Sequence, residues 1–318
     1  MTSSIAFLFP GQGSQAVGMG AELAAMYPVA QRTFVEADEA LDYKLSVLCF
    51  EGPEEKLKLT EITQPAILTA SVAAFRVLRE KGHTPQFVAG HSLGEYTAHV
   101  AAGTLSFSDA VRIVRNRGKY MQEAVPVGVG AMAAVLGMPL AEVAKICDEA
   151  AQGEVCSPAN INSPEQIVIS GHKAAVERAA ELAKQRGAKR AVMLPVSAPF
   201  HCALMRPAQE RLAADLMGLE FHDPAMPVIT NVDADFVRTA DAARDTLVRQ
   251  VTSAVQWEKS MRSLLTRRVD TFVEVGPGKV LCGLMRQIDR AKGCLNVEDE
   301  ASLQKTVSHV SQAKTGAF

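Results

Sequence analysis

Ser92 is the residue most clearly placed for chemistry, because it lies between two glycines in Gly90-His91-Ser92-Leu93-Gly94. This stretch matches the G-x-S-x-G pattern, in which a sharp turn from a strand into a helix exposes a serine hydroxyl. A strand-like run, "QFVAG", precedes the serine, and a helical pattern of small residues follows it. A serine in this position could hydrolyse an ester, transfer an acyl group to another acceptor, or fill a tight turn.

His201 is the candidate base, which a serine nucleophile needs because its hydroxyl is weakly nucleophilic at neutral pH. It lies in "PVSAPFHCALM", where two prolines restrict the backbone of a loop. A loop at a junction between domains can direct a side chain into a cleft. The alternative is a partly buried histidine with an ordinary hydrogen bond. His91 is expected to point away from a pocket that Ser92 faces, and His99 lies two helical turns beyond the serine.

Arg117 lies on an otherwise apolar face of the helix predicted for "FSDAVRIVRNRGKYMQEA". Ala110, Val114 and Met121 share this face, because spacings of three and four residues return to the same side of a helix. A buried arginine is costly unless it is paired, and its guanidinium can bind a carboxylate through two parallel hydrogen bonds. The sequence leaves open whether Arg117 binds an acidic ligand or forms a structural ion pair.

The stretch "FLFPGQGSQAVGMG", residues 7–20, places four glycines after a strand-like run. It lacks the G-x-x-x-x-G-K-[ST] and G-x-G-x-x-G spacings of nucleotide-binding loops. We favour a tight turn whose backbone N–H groups face the serine, where they could stabilise an oxyanion. A nucleotide site is the less favoured alternative.

The composition excludes several other classes of protein. Of the 318 residues 48% are hydrophobic and 21% charged, which predicts a substantial core, and the net charge of −2 gives no global attraction to nucleic acid or an anionic membrane. We expect no secretory signal, because the first residues lack a basic region and their apolar run stops at Pro10. We also expect no membrane span, because no apolar stretch approaches about 18 residues. The six cysteines include no C-x-x-C pair, which indicates reduced thiols in a cytoplasmic protein and no metal site.

The order of predicted elements divides the chain into two parts. Short apolar runs alternate with helical patterns before residue 129 and after residue 196, which indicates an α/β fold with a mostly parallel sheet. Residues 129–196 instead read as strand-helix-strand-strand-helix-strand, which is the ferredoxin-like order. We therefore predict a large α/β domain formed by residues 1–128 and 197–318, with residues 129–196 inserted as a small subdomain.

Seven blocks taken together resemble a known family. They are "FPGQGSQ", "TQPAI", "GHSLGEY", "RNRGKYMQ", "PVSAPFHC", "TNVDA" and "VEVGPGKVL", and they follow one another from about residue 5 to residue 290. The series is similar to the malonyl-CoA:acyl carrier protein transacylases and to the acyltransferase domains of fatty acid and polyketide synthases. This resemblance implies an α/β hydrolase-like large domain beside a ferredoxin-like small one.

The resemblance also implies which residues carry the reaction. Ser92 would be the acylated nucleophile and His201 its base. Gln12 and Leu93 would donate backbone N–H groups to the oxyanion, and the backbone carbonyl of Gln250 would orient the histidine. This differs from a Ser-His-Asp triad, because a carbonyl can fix the histidine tautomer but adds no negative charge.

A second group of residues would select the acyl chain. Arg117 would bind the free carboxylate of a malonyl group, with Met121 in the same pocket. Phe200 would limit the space at the α-carbon, which favours malonyl over methylmalonyl. Asn162 and Asn231 match polar positions near the cleft.

The implied reaction transfers malonyl from malonyl-CoA to the phosphopantetheine thiol of acyl carrier protein, through a malonyl-serine intermediate with ping-pong kinetics. It would supply extender units for fatty acid synthesis, without a permanently bound cofactor, by a cytoplasmic monomer. The alternatives are a serine esterase or thioesterase, a discrete acyltransferase of a polyketide pathway, and a non-enzymatic scaffold that binds carrier protein.

The carrier protein is acidic, so its docking surface is expected to be basic. The candidates are Lys189 and Arg190 in the small subdomain, with Arg186 nearby. The alternative is an ordinary solvated cluster of charges.

Overall fold

A computed structural model describes residues 4–196 and 198–315, with side chains as far as Ser311. Ten strands lie within these residues: β1 (Ile5–Phe9), β2 (Phe87–Gly90), β3 (Gly130–Leu136), β4 (Cys156–Ser163), β5 (Gln166–His172), β6 (Arg190–Met193), β7 (Val228–Ile229), β8 (Phe236–Val237), β9 (Thr271–Val275) and β10 (Cys294–Val297). The helices are α1 (Ala21–Met26), α2 (Pro28–Leu41), α3 (Leu45–Glu51), α4 (Glu54–Leu57), α5 (Thr60–Glu80), α6 (Gly94–Ala101), α7 (Phe107–Glu123), α8 (Leu140–Ala151), α9 (Lys173–Gln185), α10 (Arg206–Met217), α11 (Ala240–Gln250), α12 (Trp257–Thr266), α13 (Val280–Ile288) and α14 (Glu300–Thr315).

The larger sheet has the strand order β10-β9-β1-β2-β7-β8. Its first five strands pair in parallel, and β8 adds an antiparallel edge beside β7. All five residues of β1, "IAFLF", are buried, as a central parallel strand covered by helices on both faces requires. The prediction of an α/β fold with a mostly parallel sheet is therefore confirmed.

The smaller sheet is antiparallel, with the order β4-β5-β3-β6. Its elements follow one another along the chain as β3-α8-β4-β5-α9-β6. Alternate residues of β3 serve different cores, because successive side chains of a strand point to opposite faces. Ala133 and Val135 pack with α8 and α9, whereas Met132 joins the core of the larger sheet. The smaller sheet thus lies with one face against the elements of the larger sheet.

Two further predictions concern the domain boundary at residue 197 and membrane-spanning helices. Residue 197, where we place the return to the large domain, lies outside the described residues, as do 1–3 and 316–318. Across the described ranges, no helix combines the length and the apolar character that a membrane span needs.

Candidate active site

Ser92 lies on a strained turn between β2 and α6. Its φ of 51° falls in the left-handed region, which residues other than glycine adopt only when the surrounding structure imposes it. Gly90 makes the sharp turn possible, because a Cβ atom there would lie 1.8 Å from the carbonyl oxygen of Gly94. The turn directs the serine hydroxyl into a cleft, as the G-x-S-x-G pattern predicts.

His201 lies beside the serine, with its Nε2 2.7 Å from Ser92 Oγ. On its other side Nδ1 is 3.0 Å from the backbone oxygen of Gln250. A carbonyl oxygen can only accept, so Nδ1 carries the hydrogen and Nε2 is left to accept the serine proton. Burial lowers the pKa of His201 to about 3, and the nearby charge of Arg117 acts in the same direction. The ring is therefore neutral near pH 7 and available as a base.

Gln12, in the loop after β1, and Leu93, in the turn, line the cleft, and each carries a backbone N–H group. The loop after β1 reaches this point because Gly11 lies against the turn, where a Cβ atom would be 2.4 Å from the backbone oxygen of His91. Neither N–H group has an acceptor among the residues that the structure describes. Two residues of the cleft thus carry backbone N–H groups without an acceptor, which an oxyanion site would require.

Arg117 is buried at the base of the cleft, on α7. Its Nη1 donates to Gln64 Oε1 at 2.7 Å, and its Nη2 donates to Gln250 Oε1 at 2.9 Å and to Ser92 Oγ at 3.1 Å. Burial lowers its pKa, and the nearby Glu95 counteracts this. No carboxylate of the described residues pairs directly with the guanidinium, so a structural ion pair is wrong as an explanation for its burial. Its charge remains available to an acidic ligand.

The walls of the cleft are largely apolar. Met121 and Phe200 line it near Arg117, and Met132, Leu194 and Val196 line it from the β3–β6 side. The space therefore suits a short acyl chain whose far end carries a negative charge.

The two predicted asparagines support the turn from different sides. Asn231 Oδ1 accepts from the backbone N–H of Ser92 at 2.6 Å, and its Nδ2 donates to Gly90 O at 2.7 Å. Asn162 Oδ1, on β4, lies 2.8 Å from His91 Nε2. The expectation that His91 points away from the pocket is wrong, because this contact with the smaller sheet holds the ring at the edge of the cleft, where burial lowers its pKa.

His99 has no part in this arrangement. It is fully buried in α6, and neither ring nitrogen has a partner among the described residues. Burial lowers its pKa to about 3, so the ring is neutral near pH 7.

Two residues of the site carry no role in the sequence-based assignment. Gln64, on α5, holds one side of the Arg117 guanidinium. Glu95, in the first turn of α6, is fully buried and accepts from Gln250 Nε2 at 2.7 Å and from the backbone N–H of Asn231 at 3.0 Å. Burial raises the pKa of Glu95 to about 7. The signal that could have identified Glu95 from the sequence is a charged residue inside an otherwise apolar helical pattern, because a buried charge needs a polar partner.

The basic candidates for docking differ in their surroundings. Arg186 is engaged by Glu142 and Glu149, and Lys189 lies 3.7 Å from Glu165. Arg190 is exposed at the start of the edge strand β6, with no ion pair among the described residues. The described part of the chain also holds no cluster of three or more His, Cys, Asp or Glu side chains that could bind a metal.

Comparison with known proteins shows close relatives. The chain is 55% identical over 287 residues to the malonyl CoA-acyl carrier protein transacylase of Escherichia coli K12, covering 90% of this chain and 93% of the relative. It is similar to a structure of the Coxiella burnetii malonyl CoA-acyl carrier protein transacylase, with a TM-score of 0.96, 46% identity and 98% coverage of both chains.

Another similar structure is a malonyl-transacylase in complex with a holo acyl carrier protein of a type II polyketide synthase. Here the TM-score is 0.95 and the identity 48%, over 96% of this chain and 100% of the other. The acyl transferase domain family matches residues 6–312, which include every residue of the cleft. The protein therefore belongs to the acyl transferase domain family.

Proposed function

We propose that the protein transfers a malonyl group from malonyl-CoA to the phosphopantetheine thiol of acyl carrier protein. The observation that carries this proposal is a buried guanidinium without a carboxylate partner, 3.1 Å from the oxygen of a serine that is paired with a neutral histidine. The proposal agrees with the names of the close relatives, which are malonyl CoA-acyl carrier protein transacylases.

In the first half-reaction Ser92 Oγ attacks the thioester carbonyl while His201 Nε2 takes its proton. The backbone N–H groups of Gln12 and Leu93 stabilise the tetrahedral oxyanion. The C–S bond then breaks, His201 returns the proton to the departing CoA sulfur, and malonyl remains as an ester of Ser92. In the second half-reaction the carrier thiol gives its proton to His201 and attacks this ester, which regenerates the serine hydroxyl.

Arg117 selects the acyl group by its charge. When malonyl is bound, the guanidinium exchanges its contact with Ser92 Oγ for two hydrogen bonds to the free carboxylate. An acetyl group offers no such partner and leaves the buried charge unpaired, which discriminates strongly against it. Met121 and Phe200 are proposed to limit the size of the acyl chain, because both line the cleft beside Arg117.

The product is proposed to enter fatty acid synthesis. A polyketide pathway is the alternative, since one similar structure contains a polyketide carrier protein. Comparing the transfer rates to carrier proteins of the two kinds distinguishes these pathways.

One experiment tests the proposed reaction directly. The protein is incubated with malonyl-CoA alone and then with holo acyl carrier protein, and intact masses are measured after each step. We expect a malonyl increment on the enzyme, which then moves to the carrier protein. Free malonate without malonyl carrier protein would show a thioesterase, and no increment on either protein would support a binding scaffold.

We further propose that residues 1–128 and 197–318 form a hydrolase-like large domain and that residues 129–196 form a ferredoxin-like subdomain. The strand order β4-β5-β3-β6 with α8 and α9 supports the second assignment.

A monomer is sufficient for the reaction, because one chain supplies every proposed catalytic group. Six free cysteines agree with a cytoplasmic setting.

Arg190 is the proposed contact for the acidic carrier protein, with Lys189 beside it. Arg190 is exposed at the start of β6 and Lys189 just before it, and the chain continues from β6 to Leu194 and Val196, which line the cleft. A carrier protein bound there would stand next to the wall of the cleft that its thiol must enter.

A further inference from the structure

A buried carboxylate lies directly behind the Ser92 turn, outside the groups that the mechanism uses. Glu95 Oε2 accepts two hydrogen bonds, from Gln250 Nε2 at 2.7 Å and from the backbone N–H of Asn231 at 3.0 Å. The side chain is fully buried and does not line the cleft, so it cannot touch the acyl group. Any effect on the reaction must therefore pass through the residues that it holds.

The side-chain amide of Gln250 has a single orientation that satisfies its neighbours. Nε2 faces three acceptors: Glu95 Oε2 at 2.7 Å, the backbone oxygen of Ser92 at 3.0 Å and, more distantly, Asn231 Oδ1 at 3.5 Å. Oε1 faces a donor, Nη2 of Arg117, at 2.9 Å. A flipped amide would oppose oxygen to oxygen on one side and N–H to N–H on the other, so the acceptors behind Gln250 set the direction in which its oxygen points.

We propose that Glu95 is a positioning residue for Arg117, which acts by fixing the Gln250 amide so that its oxygen holds the guanidinium. This role rests on the proposed malonyl transfer. It needs only the acceptor oxygen Oε2, whether or not the other oxygen of the carboxyl group carries a proton.

The arrangement holds the arginine without neutralising it. Two amide oxygens, from Gln64 and Gln250, fix the plane of the guanidinium. A carboxylate in direct contact would form an ion pair that each incoming malonyl group would have to displace. Because Glu95 contacts Gln250 and not Arg117, the guanidinium keeps its orientation, and its positive charge stays available to the malonyl carboxylate.

Substitution at both ends of this chain of contacts tests the proposal. Glu95→Ala should lower the ratio of malonyl to acetyl kcat/KM by about tenfold, which corresponds to one buried hydrogen bond of about 1.4 kcal/mol. Glu95→Gln keeps an amide oxygen for both donors and should restore the ratio to within about threefold. In a Gln250→Ala background, Glu95→Ala should change the ratio little further, because residues that act through one contact are not additive.

Glu274→Ala is the matched control. Glu274 is also a buried carboxylate, which accepts from the backbone N–H groups of Leu281 and Cys282 at the start of α13, away from the cleft. Its loss should lower the free energy of unfolding while leaving the malonyl-to-acetyl ratio unchanged.

Equal losses of malonyl and acetyl transfer in Glu95→Ala would overturn the proposal and make the residue merely structural. If that variant does not fold, Gln250→Ala decides, because it retains the backbone carbonyl that holds His201; an unchanged ratio there also overturns the proposal. A wild-type enzyme that transfers no malonyl would instead contradict the proposed function.

Discussion

The two sheets contribute to the cleft in different ways. The elements around the larger sheet supply every group that is proposed to touch reacting atoms, namely Ser92, His201, Arg117 and the N–H groups of Gln12 and Leu93. The smaller sheet and the segment after it supply apolar lining and amides, namely Met132, Leu194, Val196, Asn160 and Asn162.

This difference follows from how each part is built. The loops at the carboxyl ends of adjacent parallel strands β1 and β2 lie together, so a turn and a glycine loop from distant parts of the chain meet there. The antiparallel sheet instead presents one face, whose alternate side chains form a wall. We therefore expect changes near the larger sheet to affect the chemistry, and changes in the smaller sheet to affect fit and access.

The largest effect is expected for Ser92→Ala, which removes the proposed nucleophile. Transfer should fall by about 10³-fold or more, and intact mass analysis should show no malonyl increment. The control is Ser108→Ala, at a serine on α7 that contacts Glu36. This variant should retain both the transfer activity and the malonyl increment. A malonyl increment that persists in Ser92→Ala would show that another residue carries the acyl group. It would contradict the view that the turn beside the larger sheet supplies the reacting group.

The second-largest effect is expected for Arg117→Ala, because this change leaves the malonyl carboxylate without its partner in a buried site. Truncating one partner of a buried charged pair costs about 2–5 kcal/mol, so malonyl kcat/KM should fall by about 30-fold to several thousand-fold. Acetyl transfer should fall much less. Arg112→Ala, at an exposed arginine of the same helix, is the control, and equal losses for both acyl groups would make Arg117 structural.

The pH dependence reports on the burial of the base. The pKa of His201 is lowered to about 3, so the ring stays unprotonated as the pH falls through the ordinary histidine value of about 6.5. Malonyl kcat/KM should therefore hold from about pH 8 to about pH 5. An acid limb with a midpoint near pH 6.5 would contradict the lowered pKa.

The same lowered pKa affects stability. The unfolded chain takes up a proton near pH 6.5, before the folded chain does, so this contribution to stability is present above about pH 6.5 and lost as the pH falls toward 3. The buried His99 acts in the same direction, whereas Glu95, whose pKa is raised to about 7, acts in the opposite direction. Denaturant unfolding followed by circular dichroism at each pH separates this loss from the kinetics.

Asn162→Ala tests the amide that the smaller sheet contributes. It removes the partner of His91, at a cost of about 1 kcal/mol, so transfer should fall by less than about tenfold for malonyl and acetyl alike. Steady-state kinetics with both acyl-CoA substrates measure this. A loss as large as that of Arg117→Ala would show that the smaller sheet takes part in the chemistry.

The smallest effect on the chemistry is expected for Arg190→Glu. It should raise KM for acyl carrier protein by several-fold, more so at low salt, and leave acylation by malonyl-CoA unchanged. Lys184→Glu, an exposed residue of α9, is the matched charge reversal. Equal effects of the two substitutions would show a general electrostatic attraction and no local docking surface.

Much of the fold could be predicted from the sequence, because strands and turns are specified by residues within a few positions of one another. Continuous apolar runs such as β1 show buried parallel strands, and the motif around Ser92 specifies its own turn. The pairing of His201 with a serine 109 positions away could only be proposed as one option. The direction of His91 was predicted wrongly, because its partner Asn162 belongs to a different sheet.

The sequence by itself determined the sharp turn at Ser92, the type of fold and an arginine on an apolar helix face, since each depends on neighbours within a few positions. Only the tertiary structure decided that Arg117 has amide partners in place of a carboxylate, and that Glu95 lies behind one of those amides. These contacts join α5, α6, α7 and α11. No local spacing encodes them, because they form only when the packing of the helices on the sheet excludes water and makes a buried polar atom without a partner costly.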